Sequence, residues 1–567
     1  MQIGSSVRSG CSAELSSGRI RASSRDEAHT MRPELVGCEL HEISARACTR
    51  TPTLQPFMAR VAEKSAARAR FPRFVRRVDI VLVAIVILAV VLRLWGLGRQ
   101  SFWYDEWLTT EATTGGLVDA LRHAANREGI PPTYFALLWG WVRVFGDSEV
   151  ALRSVSALVG AATVPVAYAA ARELGGRRTV ARSVALLVAV NPMLVWYSQE
   201  ARPYALLAFL GVLSLFAFAR AWRRGRRSNY LLWGLVSAAA VAVHYFAIFL
   251  VVAEAVALFL LGREHARRLV LAGVPVVLVG VVLTPFALKQ YSHEPNRRWI
   301  SEFSLTYRAS EAGHSALVGP SPPDGRLWLV AAIVVVVAAL LVITRGSREE
   351  RSAAGLTAGI GGAAVVIPLL VVVVGLDVFL SRYLIAALVP LVIAVAIGLC
   401  VRRASWIGGI GLAVLCAVSV GTVVAVARDP ELQKPDWGSV AEAFETGHRN
   451  RILVLNAYGN LASPLLTYAA DSGPLLDTET VTADEIDVLG AKPTTKPCNL
   501  LVGRACAFIF LGGPLPPPLA STFTLEETRD LNQFTLRRYR ADRPVPLTKS
   551  ELVAPPNATD ALALVSR

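Results

Sequence analysis

From about residue 78 onward, apolar residues come in long, nearly uncharged runs. These runs fall at 80–97, 150–171, 179–198, 203–221, 229–245, 246–261, 269–288, 327–344, 353–375, 383–400 and 405–427. A bilayer core takes about 20 residues of helix to cross, so runs of this length predict membrane spans. The pattern predicts about eleven or twelve helices over residues 78–428. The stretch 229–261 is barely long enough for two passes, and residues 131–145 must begin and end on the same side, as a short re-entrant or interfacial helix. Beyond residue 429 the pattern changes. Arg451 to Asn456 and Cys506 to Leu511 are short apolar runs bounded by polar turns, which predicts buried strands. Residues 437–446 predict a short helix, 523–540 a strand pair, and the prolines between Pro514 and Pro518 a break. The expected fold is a polytopic α-helical membrane protein with a small C-terminal α/β domain at 429–567.

Composition agrees with this class: 53% of residues are hydrophobic, 18% are charged, and the mean hydropathy is +0.46. The formal charge of +15 does not point to nucleic acid, because the arginines sit between apolar runs, where they set topology. Arg68, Arg70, Arg73, Arg76 and Arg77 precede the first run and are expected in the cytoplasm. If each run crosses once, Arg172 to Arg178, Arg223 to Arg227, Arg263 to Arg268, Arg345 to Arg351 and Arg402-Arg403 fall on that same side. The N-terminus is then inside and the C-terminal domain outside the cytoplasmic (plasma) membrane. Residues 1–77 are rich in Ser, Ala and Arg without apolar period, which predicts a disordered basic cytoplasmic tail. They lack the apolar core of a signal peptide, and Met58 opens a more ordinary basic lead-in. The seven cysteines show no metal-type spacing. Cys498 and Cys506 flank a short loop on the expected oxidising side, which permits a disulfide.

This topology gathers polar residues on the outer face. The first outer loop, 98–131, opens with Ser101-Phe102-Trp103-Tyr104-Asp105-Glu106-Trp107, two carboxylates among large aromatics. Acids beside a bilayer are costly without partners or work, and one of them can serve as a general base towards a hydroxyl. The turn Tyr197-Ser198-Gln199-Glu200-Ala201-Arg202-Pro203-Tyr204, the break at His244-Tyr245, the loop 289–326 and Ser381-Arg382-Tyr383 join them. Each alone has a plainer explanation: a solvated loop start, a polar hairpin, a core histidine, a headgroup anchor. Their shared side is what favours function.

In this set the chain resembles the GT-C membrane glycosyltransferases, which use sugars carried on polyprenyl phosphate. It is most similar to bacterial relatives of protein O-mannosyltransferases and lipid A aminoarabinose transferases. The resemblance rests on Asp105-Glu106 with a further acid at Glu111, on Glu128-Gly129-Ile130-Pro131-Pro132, on Ser198 to Tyr204, on His244-Tyr245-Phe246 and on Ser381 to Leu384. Lys434-Pro435-Asp436-Trp437 resembles the lead into the outer domain of bacterial members. Ile130 departs from the pattern, where members often carry Lys or His. The resemblance covers roughly residues 78–450 and implies a GT-C-like fold and transfer of a hexose or pentose, mannose-like, at the outer face of a bacterial plasma membrane.

The residues fit that chemistry independently. A sugar on a lipid phosphate already has its leaving group, so no nucleotide site is needed, and no Gly-rich phosphate loop is present. Asp105 and then Glu106 are the candidate catalytic bases. Glu128, Arg202, Tyr204, His244, Tyr245, Arg382 and Tyr383 are the candidate substrate-binding residues, since arginine forks and histidine suit a phosphate whose charge develops. Glu128 with His244 could hold a divalent ion, the one cofactor the residues suggest. Expected partners are the lipid donor, membrane lipid and a protein, lipid or glycan acceptor, without nucleic acid. The rival is a multi-span transporter or flippase of a lipid-linked or cell-envelope substrate; the acids cluster at one face instead of mid-span, which favours the enzyme. The topology predicts that a cysteine placed at residue 440 is labelled by an impermeant thiol reagent in intact cells and one at residue 225 is protected; the reverse pattern overturns it.

Overall fold

The computed structural model describes residues 79–292, 299–445, 450–457, 459–494, 510–511, 515–552 and 562–566. The N-terminal tail, Cys498 and Cys506, and with them the expected disorder and disulfide, lie outside the described residues. All eleven apolar runs are helical. Among the described residues seven helices are long and apolar enough to cross a membrane: Glu149–Glu173, Tyr204–Arg224, Arg263–Ser292 (with its leading 3-10 turn), Leu327–Arg345, Arg348–Val373, Ser381–Leu399 and Arg402–Arg428. Arg178–Val190 and Pro192–Ser198 make an eighth if counted together, bent by 54° at Asn191. The runs at 80–97, 229–245 and 246–261 form helices of 15, 17 and 15 residues, shorter than an ordinary span.

Burial sorts the helices into inner and outer. In Glu149–Glu173, Tyr204–Arg224 and Ser381–Leu399 the most apolar windows are 61%, 61% and 67% buried inside the protein, against 17–28% for Arg263–Ser292, Leu327–Arg345, Arg348–Val373 and Arg402–Arg428. The latter show Val270, Val281, Ile333 and Val373 to the surroundings. Rows of exposed large aliphatic side chains make sense only against lipid. Helices meet where side chains vanish: a Cβ on Gly234 would lie 1.9 Å from the Ala272 carbonyl oxygen, so a larger residue there would push two backbones apart.

The bend at Asn191 is built from the sequence. Pro192 cannot donate to the preceding turn, and the Asn191 side chain instead accepts from the Leu194 N–H at 3.0 Å. The carbonyls released at the end of Arg178–Val190 need donors. Arg93, fully buried in the Ile80–Leu94 helix, reaches across to Ala189 O at 3.0 Å and Val188 O at 3.3 Å, with its Nε on Ser198 Oγ at 3.2 Å. Its positive charge thus sits at a helix C-terminus, the favourable end.

Residues 98–131, read from sequence as a loop, contain two helices, Tyr104–Thr114 and Leu117–Arg127. Thr133–Phe145 is the expected short helix, 13 residues long. After Asp429 the chain forms the α/β domain. Its strands are β1 Arg451–Ala457, β2 Ser472–Pro474, β3 Thr480–Ala491, β4 Phe510–Leu511, β5 Thr524–Leu531, β6 Phe534–Thr548 and β7 Leu562–Ser566, in spatial order 2-7-1-3-6-5 with β4 also on β1. β1 and β3 are parallel, from Arg451 opposite Glu485 to Leu455 opposite Leu489. Alternate residues go to opposite faces: Leu453 and Leu455 pack on Trp437, Val440 and Phe444 of the Trp437–Glu445 helix, while Ile452 and Val454 pack with Leu515, Leu519 and Phe523. The described part of the expected Cys506–Leu511 strand is Phe510–Leu511.

Replacing Arg93 by Met leaves the Ala189 and Val188 carbonyls without their donor in a buried site. The expected cost is about 1–3 kcal/mol for each group left unsatisfied, seen as a lower unfolding midpoint in detergent. Exposed Arg263→Ala should leave that midpoint unchanged.

Candidate active site

The Ile80–Leu94 helix ends at Trp95, and Gly96 turns the chain with a φ of 72°. Ser101 to Trp103 then lead into the Tyr104–Thr114 helix, whose first turn carries both Asp105 and Glu106. Acids are favoured there by the N–H groups of a helix start. Neighbours on a helix diverge by about 100°, so adjacent carboxylates cannot share one direction. They meet different partners.

Glu106 points inward and is fully buried. Its Oε1 accepts from Arg153 Nε at 2.8 Å and from the Ala201 N–H at 2.8 Å. Its Oε2 accepts from Arg153 at 2.7 Å and from Lys434 Nζ at 3.3 Å. Burial alone would raise this carboxyl, but the charges of Arg153 and Lys434 and the hydrogen bonds outweigh it and hold the pKa at about 2. A carboxylate so stabilised is a poor base. Arg153 also donates to Leu97 O at 3.1 Å, Gln100 O at 2.7 Å and Ser101 O at 3.1 Å, so one guanidinium carries the whole approach to Asp105. Arg153 was not among the sequence candidates. The available signal was a lone arginine at the end of its apolar run opposite to the basic clusters.

Asp105 turns the other way. Its Oδ2 lies 3.2 Å from Arg382, and its own side chain keeps 15% exposure. Arg382 sits in the 3-10 turn Ser381–Leu384, with its guanidinium 5.6–5.8 Å from the rings of Trp103, Tyr204, Tyr383 and Trp299. Tyr383 stacks on Phe246 at 4.4 Å, and Tyr204 lies 5.0 Å from Tyr197. His244 ends the Arg227–Val243 helix beside these rings, 5.2 Å from Tyr383 and 5.9 Å from Tyr204. Its Nδ1 accepts from the Phe246 N–H at 3.3 Å, while its buried Nε2 has no hydrogen bond. The His244 hydrogen bond is thus within its own turn, and its contacts with neighbouring elements are through the ring.

Three of the candidate substrate-binding residues are engaged by the protein's own groups. Arg202 and Glu128 face each other in a two-pronged pair at 2.9 Å and 2.9 Å, and Arg202 also reaches the Asp105 carbonyl at 3.0 Å and Thr109 Oγ1 at 3.2 Å. Both are buried, so the pair shapes the floor under Asp105, and the Arg202 fork is already filled where a phosphate would need it. Tyr245 points away: its hydroxyl donates to Gln290, which in turn donates to the Ala124 and Ile130 carbonyls at 2.8 Å each. Glu111 is exposed. Nor do Glu128 and His244 suit a shared divalent ion, since both Glu128 oxygens accept from Arg202 and His244 offers only Nε2. Among the described residues no three His, Cys, Asp or Glu side chains gather as a metal site.

Glu200, next to Ala201, accepts from Trp196 Nε1 at 2.8 Å and lies 3.2 Å from Lys434. Burial pushes its carboxyl above the ordinary range, against the pull of Lys434.

Residues 130–289 match the family model described as dolichyl-phosphate-mannose-protein mannosyltransferase. No curated protein sequence matches the chain. The crystal structure of ArnT from Cupriavidus metallidurans bound to undecaprenyl phosphate superposes with a TM-score of 0.51 at 12% identity, over 82% of this chain and 98% of that one. The chain has the GT-C fold. The Archaeoglobus fulgidus oligosaccharyltransferase, solved with Zn and sulfate, is similar with a TM-score of 0.40 and 13% identity over 65% of this chain, which spans 56% of that protein's length. The Saccharomyces cerevisiae Pmt1-Pmt2 complex bound to its sugar donor gives 0.29 and 18% over 41% of this chain and 34% of that one. The GT-C fold expected from the five short motifs is thereby borne out, and the same fold places Asp105, Arg382, Tyr383, Tyr204 and His244 around one spot.

Removing one partner from a buried ion pair strands the others. Glu106→Gln is therefore expected to destabilise the protein by about 3–5 kcal/mol, measured by denaturation in detergent with intrinsic fluorescence. An unchanged midpoint would show that Arg153 and Lys434 do not need that charge.

Proposed function

We propose that this protein moves a sugar, hexose or pentose and mannose-like, from a polyprenyl-phosphate donor to a hydroxyl acceptor at the outer face of the plasma membrane. The observation that carries the reading is the Asp105–Arg382 pair at 3.2 Å within a ring of aromatic side chains. The reading is supported by a carboxylate and a guanidinium side by side, the groups that a base and a phosphate contact require. Arginine binds phosphate oxygens with its planar fork. When a donor phosphate takes up Arg382, the Asp105 carboxylate loses its partner and becomes available to the acceptor. Asp105 then removes the acceptor proton as the new bond from the acceptor oxygen to the sugar C1 forms. The bond from C1 to the phosphate oxygen breaks, and polyprenyl phosphate leaves with its growing negative charge against Arg382. His244 Nε2, beside Tyr204 and Tyr383, is placed to add a hydrogen bond to the same group. The aromatic rings suit the faces of a sugar and exclude water.

Three parts of the expected site change role in this mechanism. Glu106 positions the loop in place of serving as base, and Glu128 with Arg202 supports the backbone of Asp105. Tyr245 braces the neighbouring helices. The family-model match over residues 130–289, described as dolichyl-phosphate-mannose-protein mannosyltransferase, supports a lipid-phosphate donor. The acceptor is a protein, lipid or glycan.

The test uses purified, folded variants, a panel of polyprenyl-phosphate sugars and mass spectrometry of the products. Asp105→Asn is expected to lose about two to four orders of magnitude in turnover while still binding donor. Arg382→Ala should weaken donor binding and turnover together, since the phosphate charge is present before and during reaction. Near-normal turnover in Asp105→Asn sinks the mechanism. Flux of the intact lipid-linked substrate across vesicles, without sugar transfer, would establish the transporter instead.

A further inference from the structure

The motif Lys434-Pro435-Asp436-Trp437 plays no part in the mechanism above, yet it makes polar contacts between the C-terminal domain and the helices. Lys434 Nζ is buried between two acids from different parts of the helical region, 3.3 Å from Glu106 and 3.2 Å from Glu200, and lies 5.6 Å and 5.7 Å from the rings of Trp103 and Trp196. A lysine loses its hydration in such a place and is retained only with charge partners on hand.

Its backbone is pinned as well. The Lys434 N–H donates to Gln100 Oε1 at 3.2 Å, and its carbonyl accepts from Gln533 Nε2 at 2.9 Å. Gln533 stands in the turn between β5 and β6, so the hairpin of the sheet holds the lysine in place. Two further contacts converge on the same approach. Ser101 Oγ accepts from the Gly438 N–H at 3.0 Å and lies 3.4 Å from Asp436 Oδ1. The Phe102 N–H donates to Tyr468 Oη at 2.7 Å, and that hydroxyl donates to Glu149 at 2.8 Å. Ser101, Phe102 and Glu106 are therefore all held by residues beyond 429, and Asp105 lies between Phe102 and Glu106.

We infer that Lys434 is a positioning residue for Asp105, and that the C-terminal domain is through it a working part of the transfer site. This rests on the proposed role of Asp105. The charges explain why a lysine is required. Paired as ions, Glu106 and Glu200 balance Arg153 and Lys434, and Lys434 is the charge that favours the ionised form of Glu200 against its burial. Removing Lys434 leaves one acid in excess. Glu106 keeps Arg153, whereas Glu200 keeps only the Trp196 N–H. The excess therefore falls on Glu200, and the Ser198–Tyr204 turn is loosened along with the Asp105 loop.

The experiment compares wild type with Lys434→Met, Lys434→Arg and the double variant Lys434→Met/Glu200→Gln, in which charge balance is restored. Transfer kinetics are read together with backbone hydrogen exchange. Lys434→Met is expected to lower kcat about 100-fold, the scale of a misplaced catalytic group, with donor KM within about twofold. Exchange should quicken in peptides covering 101–107 and 199–203 and stay unchanged in β1 and β3. Lys434→Arg and the double variant should each recover about tenfold or more of the lost rate. Unchanged exchange in both peptides, or a double variant no better than Lys434→Met, overturns the inference. If Lys434→Met does not fold, Lys434→Arg and the double variant carry the test: slow exchange in both peptides with the rate recovered supports the role, and a dead but well-protected double variant refutes it. A wild-type protein that transfers no sugar refutes the transferase reading alone, because the exchange data still judge Lys434.

Discussion

Four buried charges organise this protein. Glu106, Arg153, Lys434 and Glu200 lie out of water, where none is tolerable without the others. Each comes from a different piece of chain: the Tyr104–Thr114 helix, the first turns of Glu149–Glu173, the lead into the C-terminal domain and the turn before Tyr204–Arg224. Satisfying the charges forces these pieces together. The loop after the first helix is fixed as a consequence, because the Arg153 fork also takes up the carbonyls of Leu97, Gln100 and Ser101.

Around that anchor the helices supply broken ends. A continuous helix satisfies its own backbone and offers a membrane nothing but side chains. The breaks at Asn191, at His244 and at Ser381 free polar backbone, which is taken up by Arg93, by the His244 ring or by a 3-10 turn. What those breaks gain is placement: Tyr204, His244, Arg382 and Tyr383 all begin or end a helix beside Asp105. The lipid-facing helices contribute none of these. They bury the inner helices and present Val, Ile and Leu outward.

Adjacent carboxylates on one helix turn have opposite fates here. Glu106 is compensated and locked, with its proton affinity driven down. Among the described residues Asp105 has one ion-pair partner, Arg382, and it keeps partial exposure. Another buried pair, Arg202 with Glu128, repeats the locking theme beneath the Asp105 carbonyl.

The helical architecture was legible in the sequence, because partition between water and lipid is decided segment by segment. Every long apolar run became a helix, the change of period at 429 became a sheet, and the GT-C motifs marked the end of the bundle where polar turns collect. Arg153 could have been suspected from its position at the wrong end of its run. The two helices within 98–131 are short and of mixed polarity, and their formation rests on contacts made elsewhere. Which carboxylate faces the aromatic rings, and which is locked between Arg153 and Lys434, were decided only in three dimensions. Those choices depend on partners 47 residues apart for Glu106 and Arg153, 74 for Glu128 and Arg202, and 328 for Glu106 and Lys434. Local propensity carries no information about charges so distant in the chain; the burial that makes each pairing obligatory exists only once the chain has folded.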